Sequence, residues 1–424
     1  MRSKSSNQAM EIVAIILILL LANVRAMRIL PLYPATATLG GHAWLEVLVW
    51  LLTAGLGLWL LVQRGLFNEY STSWRKNWPM IPFLGIAFFS LGWSVSPSAT
   101  LYRALVLLFS SLLGAYIGIR YSCLELLDIL FWFGALVVIF SFALGLIFPG
   151  FGIMESYPYV GSWNGVFFHR NFTGSILALL TSVFLIRILL ELPRRDGMAI
   201  LDSVFYLLSM LLVFLSHSAT GYILAILLNL LILLIWTWLK VQDRLRPFHY
   251  LLIAGAFVLV GILISLKFNS VLGLFNRDSS LTGRVPLWTY LLTHVVNQRP
   301  WFGYGFGAFW TLNSYRLQLQ AVMGWPYPVI IGDNGFMDIL LYIGIVGLTI
   351  FLANVILMIV RTIRFAFHRR TLECFFPLVI LFYAVVANIT YSLFFELETF
   401  VWILMVASLF LATRPDSERQ SPMP

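Results

Sequence analysis

The sequence predicts an all-α integral membrane protein with about twelve transmembrane helices and one large, partly helical loop on the outer side. Composition is the first reason: 60% of the 424 residues are hydrophobic and 11% are charged, whereas soluble domains are about half apolar and a quarter charged. The second reason is that the apolar residues form stretches near the length that crosses a bilayer. A soluble chain of this length would need several polar surfaces, which so few charges cannot build.

The apolar stretches follow one another along the chain, with mostly short polar loops between them. With boundaries set to within several residues, the predicted spans are residues 11–28, 43–62, 79–95, 102–119, 127–148, 171–190, 199–216, 219–239, 250–266, 335–360, 375–393 and 399–413. In the first span the apolar run 12–22 is short and Arg25 follows it, as in a signal peptide. A clear small-x-small cleavage site does not follow, which favours a retained helix.

The positions of the basic residues predict the orientation. About two-thirds of all Lys and Arg fall in alternate loops and at the two termini: Arg2, Lys4, Arg64, Arg75, Lys76, Arg120, Arg187, Arg194, Arg195, Lys240, Arg244, Arg246, Arg361, Arg364, Arg369, Arg370, Arg414 and Arg419. Such loops stay in the cytoplasm, so both termini are predicted inside. The net charge of +9 thus follows from membrane orientation, and nucleic-acid binding is not expected.

These features divide the chain into four parts. Residues 1–266 hold the first nine spans, 267–334 form the large outer loop, 335–413 hold the last three spans, and 414–424 form a cytoplasmic tail. The large loop carries four tryptophans and one apolar helical face, composed of Leu287, Leu291, Leu292, Val295 and Val296. It is therefore predicted to form a small cap on the membrane surface that carries the chemistry.

Several kinds of site are not indicated. Cys123 and Cys374 fall at the inner ends of spans in different loops, which predicts small buried residues rather than a disulfide or a zinc site. The sequence has no Asp-x-Asp pair for a metal-bound sugar nucleotide and no cluster of metal ligands. We therefore expect neither metal nor cofactor. Few ionisable residues fall within the spans, so a proton or ion pathway is poorly supported.

Arginines on the predicted outer side are the most informative residues. Arg103, Arg170 and Arg284 each lie at a predicted helix amino terminus, where a cation opposes the helix macrodipole. A bound anion would explain this placement, because helix amino termini bind phosphate and guanidinium adds a bidentate clamp. The three helix ends, if they face one cavity, would form a diphosphate cradle. The alternative, extension to lipid headgroups, is favoured for Arg299 and Arg316 and stays open for Arg103.

Polar motifs accompany these arginines. They are His169-Arg170-Asn171 at the start of a span, a tight hairpin at 216–221, Gly283-Arg284 at the start of the cap helix, the glycine-rich and aromatic stretch 301–307, and the stretch 333–338 that enters the next span. The glycine-rich stretch follows no strand, so a nucleotide loop is rejected. It suits a sugar-facing surface or a tight turn against neighbouring helices. His217, in the hairpin, is predicted to be a structural hydrogen-bonding residue.

These motifs, in this order, resemble the bacterial O-antigen ligase and polysaccharide polymerase superfamily, and especially its exopolysaccharide-polymerase branch. The matching features are Ser90-Leu91-Gly92-Trp93-Ser94 with Pro97 and Arg103; His169-Arg170-Asn171; the 216–221 hairpin; Gly283-Arg284 with Trp288; Gly303-Tyr304-Gly305; and Asp333-Asn334-Gly335 with Gly344 and Gly347. The resemblance covers most of the chain. Each motif alone is weak, but their order, with a large external loop between late spans, is fairly specific.

The resemblance implies a fold similar to membrane glycosyltransferases of the C type, in the bacterial inner membrane with the catalytic loop in the periplasm. It implies transfer of a whole glycan from a polyprenyl-diphosphate carrier to an acceptor hydroxyl, without metal, cofactor or nucleotide sugar. Displacement in one step would invert the anomeric centre. The implied partners are the lipid-linked donor, a glycan or lipid A-core acceptor, membrane lipids, a chain-length regulator and the export machinery.

Candidate site residues follow from these motifs. The catalytic candidates are Asp333, His169 and Arg284, the diphosphate-binding candidates are Arg170, Arg284 and Arg103, and the candidates for glycan contacts are Asn171, Trp288, Tyr304 and Asn334. Family members often carry histidine before the Asn-Gly of the last motif, as the expected base, where this chain has Asp333. The base is then either this carboxylate or His169. The alternative for Asp333 is an amino-terminal cap of the next span.

Two other classes of protein share many of these features. A transporter or flippase for lipid-linked sugars would also have many spans and outer arginines, but it should show repeated halves and polar groups near the bilayer midplane. The sequence shows neither. A non-catalytic partner in an envelope complex is the other alternative, and polymerase and ligase both remain open because they share one donor.

Overall fold

A computed structural model describes residues 6–22, 43–155, 159–191, 197–244, 283–325, 328–395 and 399–414. Within these ranges the chain is helical, apart from loops and one isolated antiparallel bridge between Ile153 and Trp163. The α-helices are α1 Ser6–Ala22, α2 Ala43–Gln63, α3 Phe67–Lys76, α4 Met80–Phe89, α5 Pro97–Arg120, α6 Cys123–Ile147, α7 Pro149–Gly152, α8 Arg170–Glu191, α9 Gly197–Leu215, α10 Ala219–Val241, α11 Arg284–Tyr290, α12 Asn313–Met323, α13 Gly335–Arg369, α14 Phe376–Thr390 and α15 Phe400–Ala412.

Short helical turns extend or join these helices. The 3₁₀ turns are Ser90–Trp93, Gln242–Arg244, Val296–Gln298, Phe309–Thr311 and Leu372–Phe375, and Leu291–Val295 is a π-helical turn.

The all-helical membrane fold is confirmed. In the described part of the chain, seven helical segments are long and apolar enough to cross a bilayer, or eight if the bent pair Trp50–Gln63 and Phe67–Lys76 is one span. The apolar helices Met10–Leu20, Met80–Trp93 and Phe400–Ala412 are shorter. A helix lies in each predicted span except 250–266, which falls outside the described residues. The total of twelve spans therefore stays a prediction.

Small residues let the central helices approach closely. Helix α15 is buried along its whole length and packs against α5 at two glycines. A Cβ added at Gly114 would lie 2.6 Å from the Ile403 carbonyl oxygen, and one at Gly118 would lie 2.3 Å from that of Ala407. Small residues four apart are typical of close helix pairs in membranes. They place this short helix in the middle of the bundle.

Helices α8 and α10 cross in the same way. A Cβ added at Gly221 would lie 2.7 Å from the Cα of Gly174. Each glycine lies next to a polar motif, since α8 begins at Arg170 and α10 begins at Ala219, within the predicted hairpin at 216–221. The close crossing therefore brings these two motifs together.

The helix ends that carry the predicted cytoplasmic arginines meet at one end of the bundle. Arg64 and Arg120 both donate to the buried carboxylate of Glu11, at 2.6 and 3.1 Å. Arg187 donates to Asp202 at 2.8 Å. We call this the basic end, and the opposite end of the bundle the site end. The described loops that carry these arginines therefore share one end, as the sequence predicts, whereas the side of the membrane that each end faces stays a prediction.

The two cysteines lie at the basic end. Cys123 begins α6, and Cys374 lies in the turn before α14. Their side chains lie close enough to interact, and both are free thiols. Residues predicted to occupy separate loops are thus neighbours, because α6 and the turn before α14 start side by side.

The predicted cap helix is present as α11 and the turns that follow it. Four of the five residues of the predicted apolar face are buried: Leu287, Leu291, Val295 and Val296. Leu292 is 43% exposed and lies at the margin of that face. The period of the apolar residues thus predicted this helix correctly, although the turn after α11 is π-helical.

The glycine-rich stretch fills a break in α13. Gly344 has φ 66° and ψ −167°, which interrupts the helix. The backbone N–H of Ile345 donates to Pro300 O at 2.8 Å, and that of Tyr304 donates to Leu341 O at 2.9 Å. A Cβ added at Gly303 would lie 2.5 Å from Leu341 O. Of the two predicted alternatives for this stretch, the structure shows the tight turn against neighbouring helices.

Candidate active site

The loop that follows α14 joins the predicted motifs at the site end. Asn388, near the end of α14, accepts the backbone N–H groups of Leu393 and Phe394 at 2.8 and 3.1 Å. These bonds turn the chain sharply after the helix. We call residues 389–395 the connecting segment, because three candidate residues contact it.

Each of these contacts comes from a different helix end. Arg103, in the first turns of α5, donates from Nη1 to Phe395 O at 2.9 Å. Asn334, which caps α13, donates from Nδ2 to Ile389 O and from its backbone N–H to Ser392 Oγ, both at 3.1 Å. The ring of His169 lies nearly parallel to that of Tyr391, with centroids 6.4 Å apart. The fold thus collects motifs from distant parts of the sequence around one loop.

Arg284 and Asp333 form an ion pair in the cap. Arg284 begins α11 directly after Gly283, whose φ is 82°. Its Nε donates to Asp333 Oδ2 at 3.3 Å, with 13% and 22% of the two side chains exposed. Within the part of the chain that the structure describes, the guanidinium makes no other hydrogen bond. Its two terminal amino groups are therefore available to an anionic ligand.

Asp333 has an unusual backbone conformation. Its φ is 49°, in the left-handed region that Asp, Asn and His enter more readily than other side chains. The next residue, Asn334, accepts the backbone N–H groups of Phe336 and Met337 and is the cap of α13. The predicted alternative for Asp333, that it caps this helix, is therefore wrong, because the cap is the neighbouring residue.

Arg170 lies at the start of α8 between an aromatic ring and a carbonyl. Its Nη1 donates to His217 O at 2.6 Å, and its guanidinium lies 4.4 Å from the centre of the Tyr159 ring. Stacking on an aromatic face holds a guanidinium while its edge remains able to donate. His217 contributes its backbone here, which agrees with the predicted structural role.

The ring of His169 has a defined orientation. Its Nδ1 accepts the backbone N–H of Asn171 at 3.2 Å, as a cap does at the start of a helix. The edge of the ring meets Tyr159 at 5.4 Å between centroids. Since Nδ1 is the acceptor, the neutral ring carries its hydrogen on Nε2.

Arg103 braces the glycine-rich stretch as well as the connecting segment. A Cβ added at Gly307 would lie 2.4 Å from Arg103 Cγ, so the aliphatic part of the arginine packs directly on this glycine. Both contacts are made to backbone. They hold the start of α5 against the cap.

The four candidates for glycan contacts form hydrogen bonds within the protein. Asn171 Oδ1 accepts from Ser218 Oγ at 3.1 Å, and Trp288 Nε1 donates to Gly332 O at 2.8 Å. Tyr304 is buried, and its hydroxyl donates to Val295 O at 2.9 Å. Burial raises the pKa of this hydroxyl above its ordinary value, so it remains a donor at neutral pH. With Asn334, these side chains frame the site, and contact with a glycan stays a prediction.

Sequence reasoning did not single out four residues of this arrangement: Tyr159, Tyr391, Ser392 and Asp338. Tyr391 and Ser392 stand at the end of an apolar stretch and were assigned to its span. Asp338 was noted only as the last residue of a motif. A usable signal was present, since Thr390, Tyr391 and Ser392 are three hydroxyl residues in a row before a pair of glutamates.

The site end holds charged residues of both signs. Arg103, Arg170 and Arg284 lie there with three described carboxylates, Glu155, Asp333 and Asp338, of which Asp338 is only 2% exposed. Among the described residues, no three His, Cys, Asp or Glu side chains lie together in an arrangement that would hold a metal ion.

The fold and the site define a multi-pass membrane protein with an arginine-rich site beneath a small cap. Residues 204–352, about a third of the chain, match the family model described as O-antigen ligase. The matched part includes Arg284, the glycine-rich stretch and Asp333, whereas Arg103 and Arg170 precede it. No curated protein matches the chain.

This match confirms the resemblance to the O-antigen ligase and polysaccharide polymerase superfamily that the order of the motifs indicated. It supports a membrane glycosyltransferase family of the O-antigen ligase and polymerase type. Such proteins act on a glycan donor and an acceptor in membranes.

Proposed function

We propose that this protein transfers a glycan en bloc from a polyprenyl-diphosphate carrier to an acceptor hydroxyl, as a polysaccharide polymerase or an O-antigen ligase. One observation carries the proposal: arginines from α5, α8 and α11 share the site end, where Arg284 keeps two amino groups for a ligand. Such bidentate, permanently charged donors match the geometry and charge of phosphate oxygens.

The reaction needs charge stabilisation at the leaving group. Transfer breaks the bond between the anomeric carbon and a diphosphate oxygen, and the bonding electrons move to that oxygen. Arg284 and Arg170 would stabilise the developing charge, the type of effect that often dominates catalysis. Both guanidinium groups are held in place before the donor binds, Arg284 by Asp333 and Arg170 by Tyr159 and a carbonyl.

The acceptor hydroxyl must lose its proton as its oxygen attacks the anomeric carbon. We assign this proton to Asp333, which stands where related proteins often carry histidine. Donor binding to Arg284 would free this carboxylate from its ion pair. A positioned base contributes about a hundred- to ten-thousand-fold. Attack from the side opposite the diphosphate inverts the anomeric centre, and the steps need no metal or nucleotide.

The proposed reaction implies a cellular location and an orientation for the protein. We assign it to the bacterial inner membrane, with both termini in the cytoplasm and the site end in the periplasm. Residues 1–266 and 335–413 then form the membrane part, 267–334 the catalytic loop and 414–424 the cytoplasmic tail. The partners are the lipid-linked donor, a glycan or lipid A-core acceptor, a chain-length regulator and the export machinery.

The test is a transfer assay with purified protein in lipid nanodiscs and a fluorescent lipid-diphosphate oligosaccharide. Arg284→Ala should lower the rate by about a hundred- to a thousand-fold, the cost of one lost charge-stabilising donor. Arg284→Lys should recover part of this loss, because an ammonium keeps the charge but not the fork of donors. Product length distinguishes a polymerase from a ligase.

Arg316→Ala is the matched control. Arg316 belongs to the same cap, and its Nη1 donates to Asn313 within α12, away from the Arg284–Asp333 pair. Its loss should change the rate less than about twofold, as expected for an exposed polar contact. Undiminished transfer by Arg284→Ala would remove this arginine from the mechanism, and movement of the donor without transfer would identify a transporter.

A further inference from the structure

A buried carboxylate joins the cap to the rest of the site. Asp338 lies in the first turn of α13 and is 2% exposed. Its Oδ1 accepts from Trp310 Nε1 at 2.9 Å and from the backbone N–H of Gly332 at 3.0 Å. Its Oδ2 accepts from Ser392 Oγ. These donors belong to three separate stretches of chain: the cap, the turn before α13 and the connecting segment.

Gly332 connects Asp338 to the ion pair of Arg284 and Asp333. Its N–H is bound by Asp338, and its carbonyl accepts from Trp288 Nε1 at 2.8 Å. Trp288 is on α11, the helix that begins with Arg284. Gly332 also directly precedes Asp333. Hydrogen bonds on both sides of Gly332 therefore fix the backbone next to Asp333, the proposed base. They also fix α11, the helix that begins with Arg284, the proposed diphosphate-binding residue.

A side chain at this turn would disturb the carboxylate. A Cβ added at Gly332 would lie 2.6 Å from Asp338 Oδ1, so either the Asp338 side chain or the turn would have to move.

Ser392 connects Asp338 to Asn334 and to the connecting segment. Its hydroxyl donates to Asp338 and accepts the backbone N–H of Asn334 at 3.1 Å. The next residue towards the amino terminus, Tyr391, lies against the ring of His169. Asp338 is thus connected through Gly332 to Asp333 and Trp288, and through Ser392 to Asn334 and the connecting segment.

We infer that Asp338 is a positioning residue for glycan transfer, which sets the places of Asp333 and Arg284 through Gly332 and of the connecting segment through Ser392. The inference rests on the proposed function. Asp338 itself does not touch the substrate. Trp310, Gly332 and Ser392 all donate to Asp338, so the ionised carboxylate fits these partners, and its place in the first turn of α13 favours a negative charge.

The first test compares Asp338→Asn and Ser392→Ala with the unchanged protein. Asparagine keeps the shape of the side chain but has an amide NH₂ group at one of the positions where Asp338 accepts a hydrogen bond. Misplacement of a catalytic group by about 1 Å costs about a hundred-fold, so kcat should fall about ten- to a hundred-fold in each variant. The KM for the lipid-linked donor should change less than about threefold.

Two matched controls separate positioning from folding. Asp202→Asn removes a buried carboxylate at the basic end, where it pairs with Arg187. Ser408→Ala removes a buried hydroxyl that donates to Leu404 O within α15. Both should leave the kcat of folded protein within about twofold of the original. A kcat in Asp338→Asn that is also unchanged would overturn the inference.

A second measurement does not depend on activity. Amide hydrogen exchange, followed by mass spectrometry, should become faster at residues 328–334 and 389–395 in Asp338→Asn but not in Asp202→Asn. Unchanged exchange at both stretches would refute the positioning role whatever the enzyme does. A different result separates the two proposals. If exchange becomes faster in Asp338→Asn but the unsubstituted protein shows no glycan transfer, Asp338 still holds the two stretches in place and the proposed function is rejected.

Discussion

The ring of His169 is held in one hydrogen-bonding state by the start of α8. Because Nδ1 accepts the N–H of Asn171, the neutral ring presents Nε2–H to its surroundings. This group cannot remove a proton from a hydroxyl. In the proposed reaction it would donate to an oxygen of the departing diphosphate, as a neutral histidine at a helix amino terminus does in other enzymes. The proposed role of base then falls to Asp333.

Substitutions of His169 distinguish donor from base. The amide NH₂ of glutamine reaches about as far as Nε2, so His169→Gln should keep transfer within about tenfold of the original rate. His169→Ala should lose about a hundred-fold, the usual cost of one donor to developing charge. Initial rates in the nanodisc assay measure both. Equal loss in the two variants would reject the role of the ring as a hydrogen-bond donor.

At the scale of elements, the break in α13 ties the cap to the membrane part. The helix is interrupted at Gly344, and the chain from Pro300 to Gly305 takes up backbone groups that the break leaves without helical partners. Broken helices of this kind are tolerated at membrane depth where protein buries the freed backbone. The glycine-rich stretch is therefore the anchor of the cap.

Gly344→Ala should loosen this anchor. A Cβ at this position would lie 2.3 Å from the backbone of Trp301 and would adopt a strained φ, which alone costs about 1–3 kcal/mol. The melting temperature in detergent, followed by tryptophan fluorescence, should therefore fall by several degrees. Gly55→Ala is the control, since nothing lies within 4 Å of its added Cβ. Equal melting of the two variants would contradict the anchor.

The sequence predicts the helices far better than the contacts between them. Apolar length and helical period are local, so they locate the spans and the buried face that includes Leu287 and Leu291. The order of the motifs also indicated the arginines of the site. Contacts such as Tyr391 with His169, or Ser392 with Asp338, join residues far apart in the chain. No local pattern reports them, and the predicted span 375–393 therefore included a turn that begins after Thr390.

At the scale of the whole molecule, the bundle has two chemically different ends. The basic end pairs its arginines with buried carboxylates, as Arg120 does with Glu11. At the site end Arg103 and Arg170 donate to backbone carbonyls, and Arg284 pairs with Asp333. Arginines from three different helices thus share the end to which we assign the anionic donor.

Labelling of introduced cysteines tests the orientation. With Cys123 and Cys374 replaced by serine, Ser314→Cys in α12 should react with a membrane-impermeant maleimide in intact cells with a permeabilised outer membrane. Thr72→Cys in α3, at the basic end, should react only after the inner membrane is opened. Both positions are exposed. The reverse pattern would place the site in the cytoplasm and exclude the proposed periplasmic reaction.

The connecting segment lies late in the chain, after the other residues that contact it. Residues 389–395 enter the bilayer after nearly every other part has been synthesised, and His169 and Asn334 reach their shared contacts only through them. A nascent chain halted by the ribosome before this point would carry Arg103, Arg170 and Arg284 but would lack the segment that Arg103, His169 and Asn334 contact. We therefore expect protein truncated before residue 389 to insert helices but to lack the assembled site.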